Sequence, residues 1–102
     1  MVVEKQPIFP GGEKALFKFI IKNVKYPEEA RRKGVEGRVL VSFIIEKDGS
    51  ISNIKLVQGI GYGCDEEALR VISKLPKFTP GKHSGFPVRV QTGVPINFRL
   101  PN

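Results

Sequence analysis

An α+β domain, in which a small three-stranded antiparallel sheet packs on helices in the order α-α-β-β-α-β, is the fold class this sequence predicts. Three observations predict it. The 102 residues, 40% hydrophobic and 26% charged, match one globular domain and leave no room for a second. Apolar residues at helical spacing occupy the first quarter and recur after residue 65, while β-branched runs fill 38–58 and 88–100. Asp48-Gly49 joins the first two runs as a hairpin, and a helical crossover brings in the third, so the strand order is second, first, last (2-1-3).

Residues 1–12 read as an N-terminal arm that ends in the breaker cluster Pro10-Gly11-Gly12, leaving 13–102 as the single domain. The first helix runs from about Glu13 to Val24. Leu16, Phe17, Ile20, Ile21 and Val24 form its core stripe, and Lys14, Lys18 and Lys22 stack on the solvated side. Tyr26-Pro27 opens a short second helix with proline at its first position. Its acidic start at Glu28 and Glu29, its basic end at Arg31, Arg32 and Lys33, and Gly34 just beyond each suit a helix terminus.

The run from Arg38 to Glu46 is apolar on nearly both parities, as a central strand requires. The second strand covers Ile51 to Gln58. A two- or four-residue loop sets Phe43 against Ile54 and Val41 against Leu56, whereas a three-residue loop would set Phe43 against Asn53, so the former register is expected. Gly59-Ile-Gly-Tyr-Gly63 fits neither a Walker nor a dinucleotide spacing and reads as a loop. Asp65 is expected to cap a third helix reaching about Leu75, with Ala68, Leu69, Ile72 and Leu75 inward and Pro76 as terminator. Residues 76–87 read as a loop that Phe78 and Phe86 pin to the core, with His83 exposed. From Val88 to Leu100 even positions are mostly apolar and odd ones mostly polar, a strand with one wet face. Pro95 cannot donate to a ladder and Gly93 tolerates a bulge, so this strand lies at the sheet edge or bends near its middle.

Composition excludes several chemistries. One cysteine, Cys64, forms no internal disulfide, and with the lone His83 it makes no zinc site; no metal or cofactor is expected. The carboxylates of Asp65, Glu66 and Glu67 raise the Cys64 pKa rather than activate the thiol. His83 lies beside Ser84 without a nearby acid, and the acidic pairs sit at helix starts, so no catalytic residue is assigned. The net charge of +7 is dispersed, with Arg31-Arg32-Lys33 as the tightest run. It reads first as a solvated surface and second as attraction to an acidic partner or an anionic envelope surface, and it lacks the basic face with interleaved aromatics that nucleic acid favours. No apolar run approaches the ~20 residues that cross a bilayer, and Met1-Val2-Val3, followed by Glu4 and Pro7, does not read as a signal peptide. What remains is a binding module whose device is a free strand edge able to accept an extended peptide.

The ordered set Tyr26-Pro27, Glu29-Ala30, Gly34, Gly37-Arg38-Val39, Phe43-Ile44-Ile45, Asp48-Gly49, Ile51, the Asp65 to Leu69 helix start, Pro76-Lys77-Phe78-Thr79-Pro80-Gly81, Gly85, Pro87-Val88 and Pro95-Ile96-Asn97-Phe98 resembles the C-terminal domain of TonB energy transducers. Phe9-Pro10-Gly11-Gly12 and the extra first helix look like the Bacteroidetes branch of that family, and Phe78 stands where many relatives carry tryptophan. The resemblance implies a periplasmic domain that grips the TonB box of an outer-membrane transporter by strand addition and transmits force from an inner-membrane, proton-driven motor. It assigns the partner edge to Val88, Arg89, Val90, Gln91, Thr92, Gly93 and Val94, and places Tyr26 and Pro27 near the transporter plug. It also implies an inner-membrane anchor and a proline-rich spacer, neither of which is among these residues. Other readings are a domain appended to a membrane sensor peptidase, a basic nucleic-acid binder, whose affinity would depend steeply on salt, and a homodimer through the same edge.

Overall fold

The computed structural model describes residues 3–101. Its elements are α1 (Glu13–Asn23), α2 (Glu28–Arg32), β1 (Gly37–Ile45), β2 (Ile51–Gln58), α3 (Cys64–Ser73), β3 (Gly81–His83), β4 (Phe86–Val88) and β5 (Val90–Phe98). The main sheet has the order β2-β1-β5 and is antiparallel throughout. The expected class and strand order are therefore found, with one addition: a separate two-stranded ribbon, β3-β4, inside the segment read as a loop. Ser84 and Gly85, both at positive φ, make the two-residue turn that closes it.

The core lies between the sheet and its helices. Val39, Val41, Phe43 and Ile45 of β1 are at most 2% exposed and share a face; Ala68, Val71 and Ile72 of α3 and Val94, Ile96 and Phe98 of β5 complete the layer. Burying each large apolar side chain contributes roughly 1.5–3 kcal/mol, which a domain this small needs from nearly all of them. Phe78 is buried, with its ring 5.3 Å from Phe9 and 6.1 Å from Phe43. Phe86 is 72% exposed, contrary to the expected pin; it sits opposite His83 next to the ribbon turn.

Three further expectations are corrected. Ile21 is 74% exposed: α1 buries only Leu16 and Ile20 fully, and its next face borders a shallow groove beside Pro95 and Arg99. Asp65 is not the cap of α3; Gly63 holds that place in a left-handed conformation, and the Asp65 carboxylate reaches back to accept from the main-chain N–H groups of Ile60 (2.8 Å) and Gly61 (3.2 Å). Two amides of the glycine loop are thus filled by the protein's own anion. Pro27 sits one residue before α2 rather than in its first turn. The end of α2 is as expected, with Gly34 at φ 66° while Val35 N–H bonds Ala30 C=O and Gly34 N–H bonds Arg31 C=O.

The β1-β2 register combines both loop alternatives. Next to the turn Ile45 opposes Ile51 and Ile44 opposes Ser52, with Glu46 N–H bonding Ser50 C=O and Gly49 N–H bonding Glu46 C=O, the three-residue loop with a glycine bulge. A bulge follows, with Asn53 at φ 50°, after which Ser42 opposes Lys55 and Val41 opposes Leu56 as expected. Phe43 faces the bulge and has no single partner.

A polar tie joins the end of α1 to α3. The Glu67 carboxylate accepts from Arg70 and from the Lys25 main-chain N–H, and Arg70 Nη2 donates to the Asn23 carbonyl at 2.9 Å. The Arg70 hydrogen bond, more than any other influence, holds the Glu67 pKa below its ordinary value. A carboxyl depressed in the folded state stabilises above its unfolded pKa and loses that contribution as pH falls through the folded one. Thermal melts at falling pH are therefore expected to drop more steeply for wild type than for Glu67→Gln below about pH 4.3, the unperturbed glutamate range; parallel curves would remove this tie from the acid response.

Candidate strand-addition site

β5 pairs with β1 over nine residues without a register shift, from Gly37 opposite Phe98 to Ile45 opposite Val90. Of the two expectations for this strand, edge or bend, the edge is realised. Pro95 fixes the direction of the unpaired groups. Lacking an N–H, it fits an unbroken ladder only where the main chain turns away from its partner, so the Leu40–Pro95 pair is one of the non-bonded pairs. Alternation then turns Gln91 and Gly93 outward as well, and turns Val90, Thr92 and Val94 toward β1. Among the described residues no main-chain hydrogen bond joins β5 to anything but β1. The outer edge thus offers an N–H and a C=O at Gln91, the same at Gly93, and a C=O at Pro95.

That edge borders a groove of about 530 Å³. One wall is Val90 to Pro95; the other is arm residues Gln6 to Phe9 and the start of α1, and the aromatic side chains of Phe43 and Phe78 form part of its floor. Among the described residues the arm does not pair with β5. Lys5 exchanges main-chain bonds with Lys82 (3.0 and 2.9 Å), and Ile8 with Thr79 (3.0 and 2.8 Å).

The expected partner residues separate into three groups. Val90, Gln91, Thr92, Gly93 and Val94 lie on β5; Val88 belongs to β4, where it faces Gly81; Arg89 occupies the junction between the strands. Arg89 donates to Glu46 through Nε (2.7 Å) and Nη2 (3.1 Å), and Ser52 bonds the same carboxylate, so the start of the edge strand is tied to the β1-β2 turn. The Arg89 and Ser52 hydrogen bonds lower the Glu46 pKa, with Arg89 the larger cause. Tyr26 and Pro27 are both half-buried, and Tyr26 packs against the core. The Tyr26 hydroxyl donates to the Val35 carbonyl, its ring stands edge-on to Phe98 at 5.6 Å, and burial is the main cause that raises its pKa. Sequence reasoning missed the arm wall and the Arg89–Glu46 tie, since both pair residues more than forty positions apart or through main-chain groups that carry no side-chain signature.

Other chemistry is sparse. Cys64 is fully buried, and burial ahead of Asp65 and Glu66 pushes its thiol pKa up, away from a reactive thiolate. His83 is exposed, 3.9 Å from the Glu4 carboxylate. Among the described residues no cluster of three His, Cys, Asp or Glu could hold a metal, and no helix is long and apolar enough to cross a membrane.

The sequence model of the family described as Gram-negative bacterial TonB protein C-terminal matches residues 22–100. Protein TonB of Vibrio cholerae is 32% identical over 77 residues, 74% of this chain and 31% of that protein. Protein TonB of Helicobacter pylori is 53% identical over 34 residues, 33% of this chain and 12% of that protein. The chain thus spans at most about a third of the length of these relatives. Among solved structures, a Helicobacter pylori TonB C-terminal domain superposes with a TM-score of 0.65 at 30% identity, covering 85% of this chain and 78% of that one. A Pseudomonas aeruginosa TonB C-terminal domain gives 0.60 at 30% identity, covering 78% and 80%.

Proposed function

The chain belongs to the family of Gram-negative bacterial TonB protein C-terminal domains, and from that premise we propose that it binds the TonB box of outer-membrane transporters by strand addition to β5 and passes on force for active uptake. The observation that carries this reading is the outward row at Gln91, Gly93 and Pro95, main-chain groups bordering an open groove and unpaired within the described residues. A guest strand satisfies those groups and seats alternate side chains against the groove. Tension along paired strands loads their hydrogen bonds in shear, and β5 hands the load to β1 through a nine-pair ladder fastened at one end by Arg89 and Glu46. In this reading the domain works in the periplasm as a non-enzymatic coupling module. Its parent is anchored in the inner membrane beside a proton-driven motor, and it needs no cofactor.

Backbone amide shifts during titration with a synthetic TonB-box peptide test the proposal. The largest shifts are expected at Gln91 and Gly93, and binding is expected to survive moderate salt because the pairing groups are uncharged. Shifts confined to Lys14, Lys18 and Lys22, all exposed on α1, would move the site to the basic helix face and refute strand addition.

A further inference from the structure

We infer that the N-terminal arm is the second wall of the peptide site: a guest added to β5 lies between Gln91-Gly93 on one side and Gln6-Phe9 on the other, and the arm holds it rather than having to leave. The inference rests on the strand-addition reading. Three observations carry it.

First, the arm is fastened independently of β5. Among the described residues four main-chain bonds tie it to Thr79 and Lys82, and Phe9, 7% exposed, packs edge-on against Phe78 at 5.3 Å and Phe19 at 6.2 Å. A strap that plugged the site would spend its main-chain groups on the β5 edge, and this one spends them on the opposite side. The space between the two walls is already open.

Second, the groove has a closed end. Gly81 is buried, and a Cβ on it would come 2.8 Å from Val90 Cγ2, 3.1 Å from the Lys5 carbonyl oxygen and 3.2 Å from Pro7 Cδ. Arm, β3 and β5 therefore meet at Val90, and an added ladder stops at Gln91. From there to Pro95 is about 13 Å of strand, room for a guest stretch of about five residues.

Third, the lining selects the guest. The chain has seventeen basic and ten acidic residues, yet among the described residues Glu13 is the one charged residue that lines the groove. Val94 meets there from β5; Ile8, Phe9 and Leu16 from the arm and α1; and Phe43 from the floor. The partner chemistry this fits is an extended, uncharged segment whose alternate apolar side chains point into the groove.

Two variants of the full chain test the arm with the same TonB-box peptide. Lys5→Cys with Lys82→Cys places two thiols at directly bonded cross-strand positions, within the usual Cα separation for a disulfide, and oxidation locks the arm in place. The locked protein is expected to bind within about twofold of wild type. Loss of binding on oxidation, restored by reduction, would show that the arm must leave and would overturn the inference. Ile8→Pro deletes the donor to Thr79 while replacing a side chain that is 57% exposed, so it loosens the wall without emptying the core. It is expected to weaken binding roughly tenfold, about 1.4 kcal/mol, with the peptide-free fold retained by amide spectra. Unchanged or tighter binding would overturn the inference while leaving strand addition intact, whereas wild-type binding by Gln91→Pro would remove strand addition itself. If Ile8→Pro unfolds, the locked pair decides alone.

Discussion

Gln91→Pro is expected to leave the domain folded and to weaken TonB-box binding by more than tenfold. The Gln91 N–H points away from β1, so its loss breaks no internal ladder bond, and Pro95 shows that the same strand already tolerates proline at an outward position. A guest strand meets a ring where it needs a donor. The loss combines about 1 kcal/mol for the missing bond with a steric block against close approach of the guest main chain. Val90→Pro is the contrast. Val90 turns its main chain toward Ile45, so proline there removes a β1-β5 bond and destabilises the fold before any peptide is added. Circular dichroism melts with peptide titration separate the two. A folded Gln91→Pro protein that binds as wild type would remove the edge from the site, and a Gln91→Pro protein that melts as low as Val90→Pro would show the strand parity to be the reverse.

The free edge was half legible in the sequence: proline at 95 within an alternating run left a strand at the sheet edge or one bent near its middle, and the unbroken nine-pair ladder selects the edge. The order of the sheet followed from equally local signals, a hairpin at Asp48-Gly49 and an apolar run at 39–45 with no wet parity. The β2 bulge also had a signal that the register argument did not use. Ile51, Ile54 and Leu56 are spaced three and then two apart, and the inward placement of both Ile51 and Ile54 requires one extra residue between them. Asn53 supplies it. Ser84-Gly85 was a two-residue turn hidden in a segment rich in proline and glycine that read as a loop. The arm is a different case. Lys5 and Ile8 pair through main-chain groups that every residue type carries, so nothing in residues 3–9 announces residues 79–82 as their partner. The proposed site is therefore half legible: the open edge of β5 is written in its proline, and the arm opposite it only in the tertiary fold.

The same dependence on a distant main chain makes Gly49 the most sensitive small residue in the hairpin. Its φ is 89°, and a Cβ there would lie far inside 3.0 Å of the Phe78 carbonyl oxygen. The contact is mutual, since Phe78 N–H donates to the Gly49 carbonyl at 2.8 Å. Phe78 in turn packs on Phe9 and Phe43, so the turn, the arm anchor and the central strand meet at one point. Gly49→Ala adds about 1–2 kcal/mol for a left-handed alanine, plus the displacement of backbone that has no side-chain freedom to absorb it. A total on the order of 4 kcal/mol is expected, roughly 20 °C in melting temperature for a domain of this size. Gly85→Ala supplies the control: φ is 79°, but nothing lies within 4 Å of the added carbon. It is expected to cost about 1 kcal/mol, roughly 5 °C. Equal losses at the two sites would mean that conformation alone sets the cost and that the Gly49–Phe78 contact gives way freely. A large gap would place the hairpin turn and the Phe78 segment in one rigid unit, the unit that fastens the arm and so fixes the width of the groove beside β5.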